Sequence, residues 1–310
     1  MRTTRTTPSG ASPDDAPPGT AAPAGAASAS GDTPPTKPNG IATGRNLPVA
    51  AAVGIALIAG ALVTLFTVKA TFLIYMGLGL GIGLHELNGA LRTREIRIPV
   101  IPVLLGGAAM VTSAYWAAGG AVTASFALTL IAVLGWRLFG GAGGYVRDVT
   151  GAMFATAYLA LPGAAVAAML AAADGPKRVL TFVILTICSD IGGYFAGITL
   201  GRGGAHKMAP TISPKKTWEG LGGSALTVIV AGVILVPVLL HGSWWQGAIV
   251  GVAAVAAAVL GDLAESLIKR DLGIKDMGSL LPGHGGILDR LDSLLICAPV
   301  VWLLLAAFIR

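Results

Sequence analysis

The chain has 310 residues, of which 54% are apolar and only 12% are Asp, Glu, Lys or Arg, with a mean hydropathy of +0.77 and a formal net charge of +6. A soluble domain carries about twice that charged fraction, so the composition excludes an ordinary soluble enzyme, a disordered protein and a disulfide scaffold, and points to a chain solvated mainly by lipid. Many of the 44 glycines fall inside apolar stretches such as residues 76–81, where small residues let helices approach closely in a bilayer. Cys188 and Cys297 lie in apolar runs and read as packing residues rather than a disulfide or metal pair.

Residues 1–47 hold no Phe, Trp or Tyr and are rich in Pro, Ala, Ser, Thr and Gly. Such a segment cannot bury enough apolar area to offset its ordering entropy, so a disordered tail is expected. No apolar core lies near its start, so a signal peptide is not expected there. From Leu47 onward, apolar runs follow near 48–68, 70–91, 99–117, 120–139, 150–172, 178–199, 220–241, 244–262 and 294–309. Each is near the ~20 residues a helix needs to cross the hydrocarbon core. The expected fold is all-α, a polytopic integral membrane protein with about nine transmembrane helices. Three regions follow: the tail 1–47, the N-terminal helices 48–140, and a C-terminal region 141–310 that carries the charged loops. His85-Glu86 at the end of the second run is either a site or a solvated helix end, and the second reading is favoured.

Lys and Arg set the orientation. Putting the tail and every second loop on one side leaves only Lys69, Lys177, Arg178 and Arg310 of the 21 cations on the other. The positive-inside rule then predicts a cytoplasmic N-terminus and an external C-terminus.

Two loops on the cation-rich side are unlike ordinary connectors. Residues 201–220 include Arg202, His206, Lys207, Ser213, Lys215, Lys216 and Thr217 among glycines. Backbone amides beside Lys and Ser/Thr suit phosphate oxygens, although a basic loop that merely fixes topology or touches anionic lipid has the same composition. Residues 262–293 hold six acids: Asp262, Glu265, Asp271, Asp276, Asp289 and Asp292. They also hold Lys269, Arg270, Lys275, Arg290 and His284. Asp262, Glu265, Ser266 and Lys269 share one face if the eighth helix continues past the membrane surface. The segment Pro282-Gly283-His284-Gly285-Gly286 between the acids can approach a ligand closely. Facing carboxylates at a membrane surface are costly unless something positive lies between them. A divalent cation such as Mg²⁺ meets that need, and a salt-bridged cap of Asp with Lys and Arg is the alternative. Asp190, inside the sixth run, is a functional candidate or an Asp hydrogen-bonded to a neighbouring helix.

Acids for a metal, cations for phosphates and adjacent lipid suit an enzyme that joins an anionic water-soluble substrate to a lipid phosphate by metal-assisted substitution at phosphorus. No Gly-x-Ser-x-Gly or Walker-type motif is present. The residues then resemble a known family. Ser266-Leu267-Ile268-Lys269-Arg270, Lys275-Asp276-Met277-Gly278, Leu281-Pro282-Gly283-His284-Gly285-Gly286 and Asp289-Arg290-Leu291-Asp292 look like the signature of phosphatidate cytidylyltransferases. Ser189-Asp190 and residues 213–220 look like that family too, so the resemblance covers about residues 150–310.

The resemblance implies the reaction CTP + phosphatidate → CDP-diacylglycerol + pyrophosphate, with Mg²⁺ and a second cation such as K⁺. It implies Asp262 and Asp289 as metal ligands, with Ser266, Lys269, Arg290 and Asp292 lining the same site. Lys215, Lys216 and Thr217 would contact nucleotide or phosphate, with Asp190, Ser213, Arg270, Lys275, Asp276, His284, Gly285 and Gly286 as further substrate-binding candidates. The expected partners are CTP, phosphatidate, the bilayer of a bacterial plasma membrane and a second copy of the chain, with no nucleic acid. A CTP-dependent lipid kinase and a secondary transporter are the competing readings; the absence of a visible internal repeat argues against the transporter.

Overall fold

A computed structural model describes residues 47–117, 120–201, 206–280 and 285–309. All but the last residue of the expected disordered tail lies outside the described residues. Ten helices follow: α1 (Leu47–Thr67), α2 (Lys69–Arg92), α3 (Val100–Trp116), α4 (Ala121–Leu138), α5 (Tyr145–Ala155), α6 (Leu161–Ala171), α7 (Gly175–Leu200), α8 (Trp218–Leu240), α9 (Trp244–Leu272) and α10 (Leu288–Phe308). A π-helical turn, Thr156–Ala160, joins α5 and α6 into one rod. The amide of Leu161 bonds the carbonyl of Thr156, five residues back, and Pro162 follows with no amide to close an ordinary turn.

Seven rods among the described residues are long and apolar enough to cross a membrane, and two shorter apolar helices, Ala52–Thr67 and Val100–Trp116, accompany them. The protein is a polytopic membrane protein whose helical rods fall where the apolar runs predict. The expected count of nine splits into these seven and two. Large apolar side chains such as Ile74, Leu105, Leu128, Leu226, Val238 and Leu303 point outward. That arrangement is unfavourable in water and favourable in lipid.

Three ends differ from expectation. The fifth rod starts at Tyr145, α9 runs on to Leu272, and α10 starts at Leu288. The added turns carry Asp148, Glu265, Lys269, Asp289 and Asp292, with Asp262 at the end of the expected run. A hydropathy pattern stops at such residues, but the helices continue, with Asp148, Lys269 and Asp289 bonded to groups in other segments. Asp148, almost fully buried, accepts from the Arg97 amide at 2.9 Å and from Arg137 Nε at 2.8 Å. Within the basic loop, residues 207–217 are more regular than expected. They form an antiparallel hairpin of β1 (Lys207–Ala209) and β2 (Ser213–Thr217), pairing Lys207 with Thr217 and Ala209 with Ser213 around an irregular step.

The C-terminal helices pack on one another in sequence, α7 on α8, α8 on α9 and α9 on α10. Glycine makes this possible. A Cβ on Gly192 would stand 2.7 Å from the carbonyl oxygen of Gly223, and one on Gly223 would stand 2.6 Å from that of Gly192. Gly232 of α8 and Gly247 of α9 lie against each other's carbonyls even more tightly. Without a hydrophobic force between helices in lipid, such close backbone approach supplies the attraction. Val179, Leu185, Val228, Val250, Cys297 and Val301 fill the core alongside.

The polar groups gather at two ends. At one end, Lys69 Nζ donates to the carbonyl of Ala172 at 2.5 Å, and Arg178 binds Asp174 at 2.6 Å and the Ile309 carbonyl at 3.1 Å. At the other, Arg94 donates to the carbonyl of Asp271. His85 is exposed, but Glu86 is buried rather than solvated as the sequence suggests.

Adding one methyl group at Gly232 or Gly247 must push α8 from α9. Overpacking of this kind costs about 1–3 kcal/mol. Gly232→Ala and Gly247→Ala are therefore expected to lower the thermal midpoint in detergent. Gly222→Ala on the same α8, where nothing lies within 4 Å, is expected to leave it unchanged or slightly raised.

Candidate active site

A cavity of about 500 Å³ opens among α7, the hairpin, α8, α9 and α10. This volume falls in the usual range for small-ligand sites. Helix α7 contributes Ser189, Asp190, Gly193 and Tyr194 to its wall. Strand β2 brings Ser213, Lys215, Lys216 and Thr217 to it, and α9 brings Ala258, Val259 and Asp262. From the first turns of α10 come Asp289, Arg290, Asp292 and Ser293. Four carboxylates and three cations thus share one hollow at the end of an apolar bundle.

Local structure explains the placement. Thr217 caps α8, its hydroxyl accepting from the Gly220 amide at 3.1 Å. The Trp218 amide donates to the His206 carbonyl at 3.1 Å, and His206 Nδ1 lies 2.5 Å from Glu219 Oε1. These bonds pin the base of the hairpin to the start of α8, so its lysines face the cavity. The Ser224 hydroxyl donates to the Ser189 carbonyl at 2.6 Å and ties α8 to α7. Gly261 lets α9 approach α10 closely, since a Cβ there would stand 2.6 Å from the Asp292 carbonyl oxygen.

The charges are organised as one pair and one bridged triad. Lys216 Nζ lies 2.6 Å from Asp262 Oδ2, and the Ser266 hydroxyl donates to Asp262 Oδ1 at 3.4 Å. Behind the cavity wall, Lys269 Nζ bridges Glu265 Oε2 at 2.6 Å and Asp289 Oδ1 at 2.9 Å. Asp289 also accepts from the Met277 amide at 3.0 Å and the Gly286 amide at 2.9 Å. Asp292 Oδ1 accepts from the Ser293 amide at 2.6 Å.

Of the residues singled out in the sequence, the fold gathers Asp190, Ser213, Lys215, Lys216, Thr217, Asp262, Asp289, Arg290 and Asp292 around the cavity. Ser266 and Lys269 stand just behind it, bonded to its carboxylates. Gly285, at φ +82°, passes beside Asp289 and Asp276, and a Cβ there would come 3.0 Å from Asp289 Oδ2. Arg270, Lys275 and Asp276 are exposed and do not form part of the wall. His284 lies outside the described residues. Glu265 shares the helical face read from the sequence, yet spacing alone assigned it no role. It is fully buried, and its Oε1 has no hydrogen-bond partner.

No three His, Cys, Asp or Glu side chains among the described residues converge as a ready-made metal cage. The donor set nevertheless fits a hard divalent cation in its chemistry, because Mg²⁺ is usually held by one or two carboxylates with water and substrate phosphates. Asp262 and Asp289, which the resemblance would make the ligands, each lie against an ammonium in this structure.

Removing one partner of a buried ion pair costs about 3–5 kcal/mol, whereas replacing both by apolar groups is often neutral. Lys269→Met is therefore expected to lower both thermal stability and turnover. The double variant Glu265→Leu/Lys269→Met is expected to recover part of the stability, because Asp289 still lacks its ammonium, but not the turnover, read by unfolding in detergent alongside an activity assay.

A model described as the cytidylyltransferase family matches residues 49–308, a span that includes every residue of the cavity wall. A phosphatidate cytidylyltransferase of Mycobacterium bovis is 38% identical over 275 residues, covering 84% of this chain and 89% of the relative. One of Mycobacterium tuberculosis is 38% identical over 275 residues, covering 84% of this chain and 83% of its own. One of Mycobacterium leprae is 36% identical over 280 residues, covering 84% and 88% respectively. The helical body and the charged hollow therefore sit in a chain that belongs to the cytidylyltransferase family and is a nucleotidyltransferase.

Proposed function

We propose that the cavity joins CTP to phosphatidate, releasing pyrophosphate and leaving CDP-diacylglycerol in the membrane. The observation that carries this reading is the meeting of hairpin lysines, an arginine and four carboxylates in one hollow at the end of lipid-facing helices. An anionic nucleotide and an anionic lipid headgroup both need cations there, and the apolar helices α7 and α8 provide a surface along which acyl chains can lie.

A lipid phosphate oxygen attacks the α-phosphorus of CTP, a new P–O bond forms, and the bond from the α-phosphorus to the bridging oxygen of the β-phosphate breaks. The leaving pyrophosphate carries away the electron pair of that bond. Lys215, Lys216 and Arg290 bind phosphate oxygens and stabilise the charge that grows on the leaving group. Asp262 and Asp289 would hold Mg²⁺, which supplies Lewis-acid stabilisation of phosphoryl oxygens when bound. A second, monovalent cation such as K⁺ fits the remaining acidic groups. Lys269 keeps Asp289 oriented from behind, and Ser266 does the same for Asp262. No covalent enzyme intermediate is needed, because the lipid phosphate is itself the nucleophile.

The distribution of Lys and Arg favours a cytoplasmic N-terminus and cavity, with the C-terminus outside, in a bacterial plasma membrane. A homodimer is the expected assembly.

Purified protein supplied with phosphatidate and Mg²⁺ is expected to move label from the α-phosphate of CTP into lipid and to release γ-label as pyrophosphate. Entry of γ-label into the lipid would instead establish a kinase and overturn this reading. Asp262→Asn is expected to lower kcat at least about 100-fold, on the scale of losing one charge-stabilising group at a reacting centre, while the thermal midpoint in detergent stays near that of the unsubstituted protein. Near-normal turnover of a folded Asp262→Asn variant would remove Asp262 from the catalytic set.

A further inference from the structure

Glu86 is a buried carboxylate within a stretch of α2 that is otherwise mostly apolar. Its neighbours Leu84, Leu87 and Leu91 pack into the core that also takes in Met277 and Leu288. A carboxylate in such surroundings is tolerated only if its oxygens are hydrogen-bonded. Its partners come from the far end of the sequence: the Ile287 amide donates to Oε1 at 3.0 Å, and the Leu288 amide donates to Oε2 at 2.9 Å.

These amides belong to a set. Gly286, Ile287 and Leu288 are consecutive at the entry to α10, where backbone donors have no helical acceptor. The first is taken by Asp289 and the next two by Glu86. The loop is shaped to admit the Glu86 side chain. A Cβ on Gly278 would collide with the Glu86 carboxylate, and one on Gly286 would stand 2.5 Å from its Oε2. Two glycines of the signature segment thus leave the space that this side chain fills.

Resting on the reaction assigned above, we propose that Glu86 is a positioning residue for it. Glu86 clamps the entry of α10, so that Asp289, Arg290 and Asp292 on the following turn face the cavity at fixed depth. It touches neither nucleotide nor lipid. Its action passes through the backbone of residues 286–288, and it gives the N-terminal helices a part in catalysis. Gln at this position keeps the size but replaces one acceptor by an amide NH₂, which cannot accept from a backbone N–H. One of the two bonds is then lost.

The test combines turnover with hydrogen–deuterium exchange of the detergent-solubilised protein. Glu86→Gln is expected to speed exchange in the peptide covering 285–290 and to leave exchange along 250–260 unchanged. It is expected to lower kcat about 10- to 100-fold while KM for CTP stays within about threefold, since misplaced reacting groups cost turnover. Gly278→Ala, which crowds the same carboxylate from the loop side, is expected to reproduce both effects. Combining the two substitutions should add little to either, as for residues acting through one contact. His85→Ala, one exposed position earlier, is expected to change neither readout. Faster loop exchange with normal kcat would reduce Glu86 to a structural role and overturn the proposal, as would unchanged loop exchange in Glu86→Gln. Failure of the unsubstituted protein to incorporate α-label would overturn the reaction instead, and the exchange experiment, which needs no substrate, would still decide whether Glu86 holds the loop.

Discussion

Asp289 is the point at which the functional end of the molecule is tied together. Its two oxygens hold the ammonium of Lys269 from α9, the amide of Met277 from the connecting loop, and the amide of Gly286 just before its own helix. A single carboxylate therefore sets the distance between α9 and α10 and folds the intervening loop back onto both. Lys269 passes the connection on to Glu265, which is fully buried. In a low-dielectric surrounding each of these groups is tolerable only because the next is present.

The same constraint acts on the whole chain. A body of apolar helices offers no acceptors beyond its own backbone, so charge accumulates at helix ends. At the end away from the cavity, Lys69 and Arg178 are spent on carbonyls and on Asp174. At the cavity end, the acids outnumber what simple capping requires. Asp190, Asp262, Asp289 and Asp292 line one hollow with only Lys215, Lys216 and Arg290 beside them on the wall. This gathering of acids and cations suits the nucleotidyl transfer to a lipid phosphate proposed above.

Glycine links the two ends of this arrangement. In α7, α8 and α9 it lets backbones touch, which stiffens the frame around the cavity without polar groups in the lipid. In the loop before α10, Gly278, Gly285 and Gly286 do a different job. Gly285 takes a left-handed conformation beside Asp289, while Gly278 and Gly286 leave room for the carboxylate of Glu86. One residue type thus serves both membrane packing and the close folding of the loop before α10.

Composition and periodicity alone determine that the chain is a bundle of membrane helices, and where nearly every rod lies, because lipid demands long uninterrupted apolar runs. The i, i+3, i+4, i+7 spacing of Asp262, Glu265, Ser266 and Lys269, and the pairing of Asp289 with Asp292, were likewise legible as one charged region, since helical geometry fixes which residues share a face. Partners distant in sequence were not. That Lys216 meets Asp262, that residues 207–217 form a hairpin, and that Glu86 is buried rather than solvated depend on where other segments fall. A buried and an exposed glutamate read the same in sequence, because what separates them is the presence of two backbone amides some two hundred residues away, and only the tertiary structure brings those amides to it.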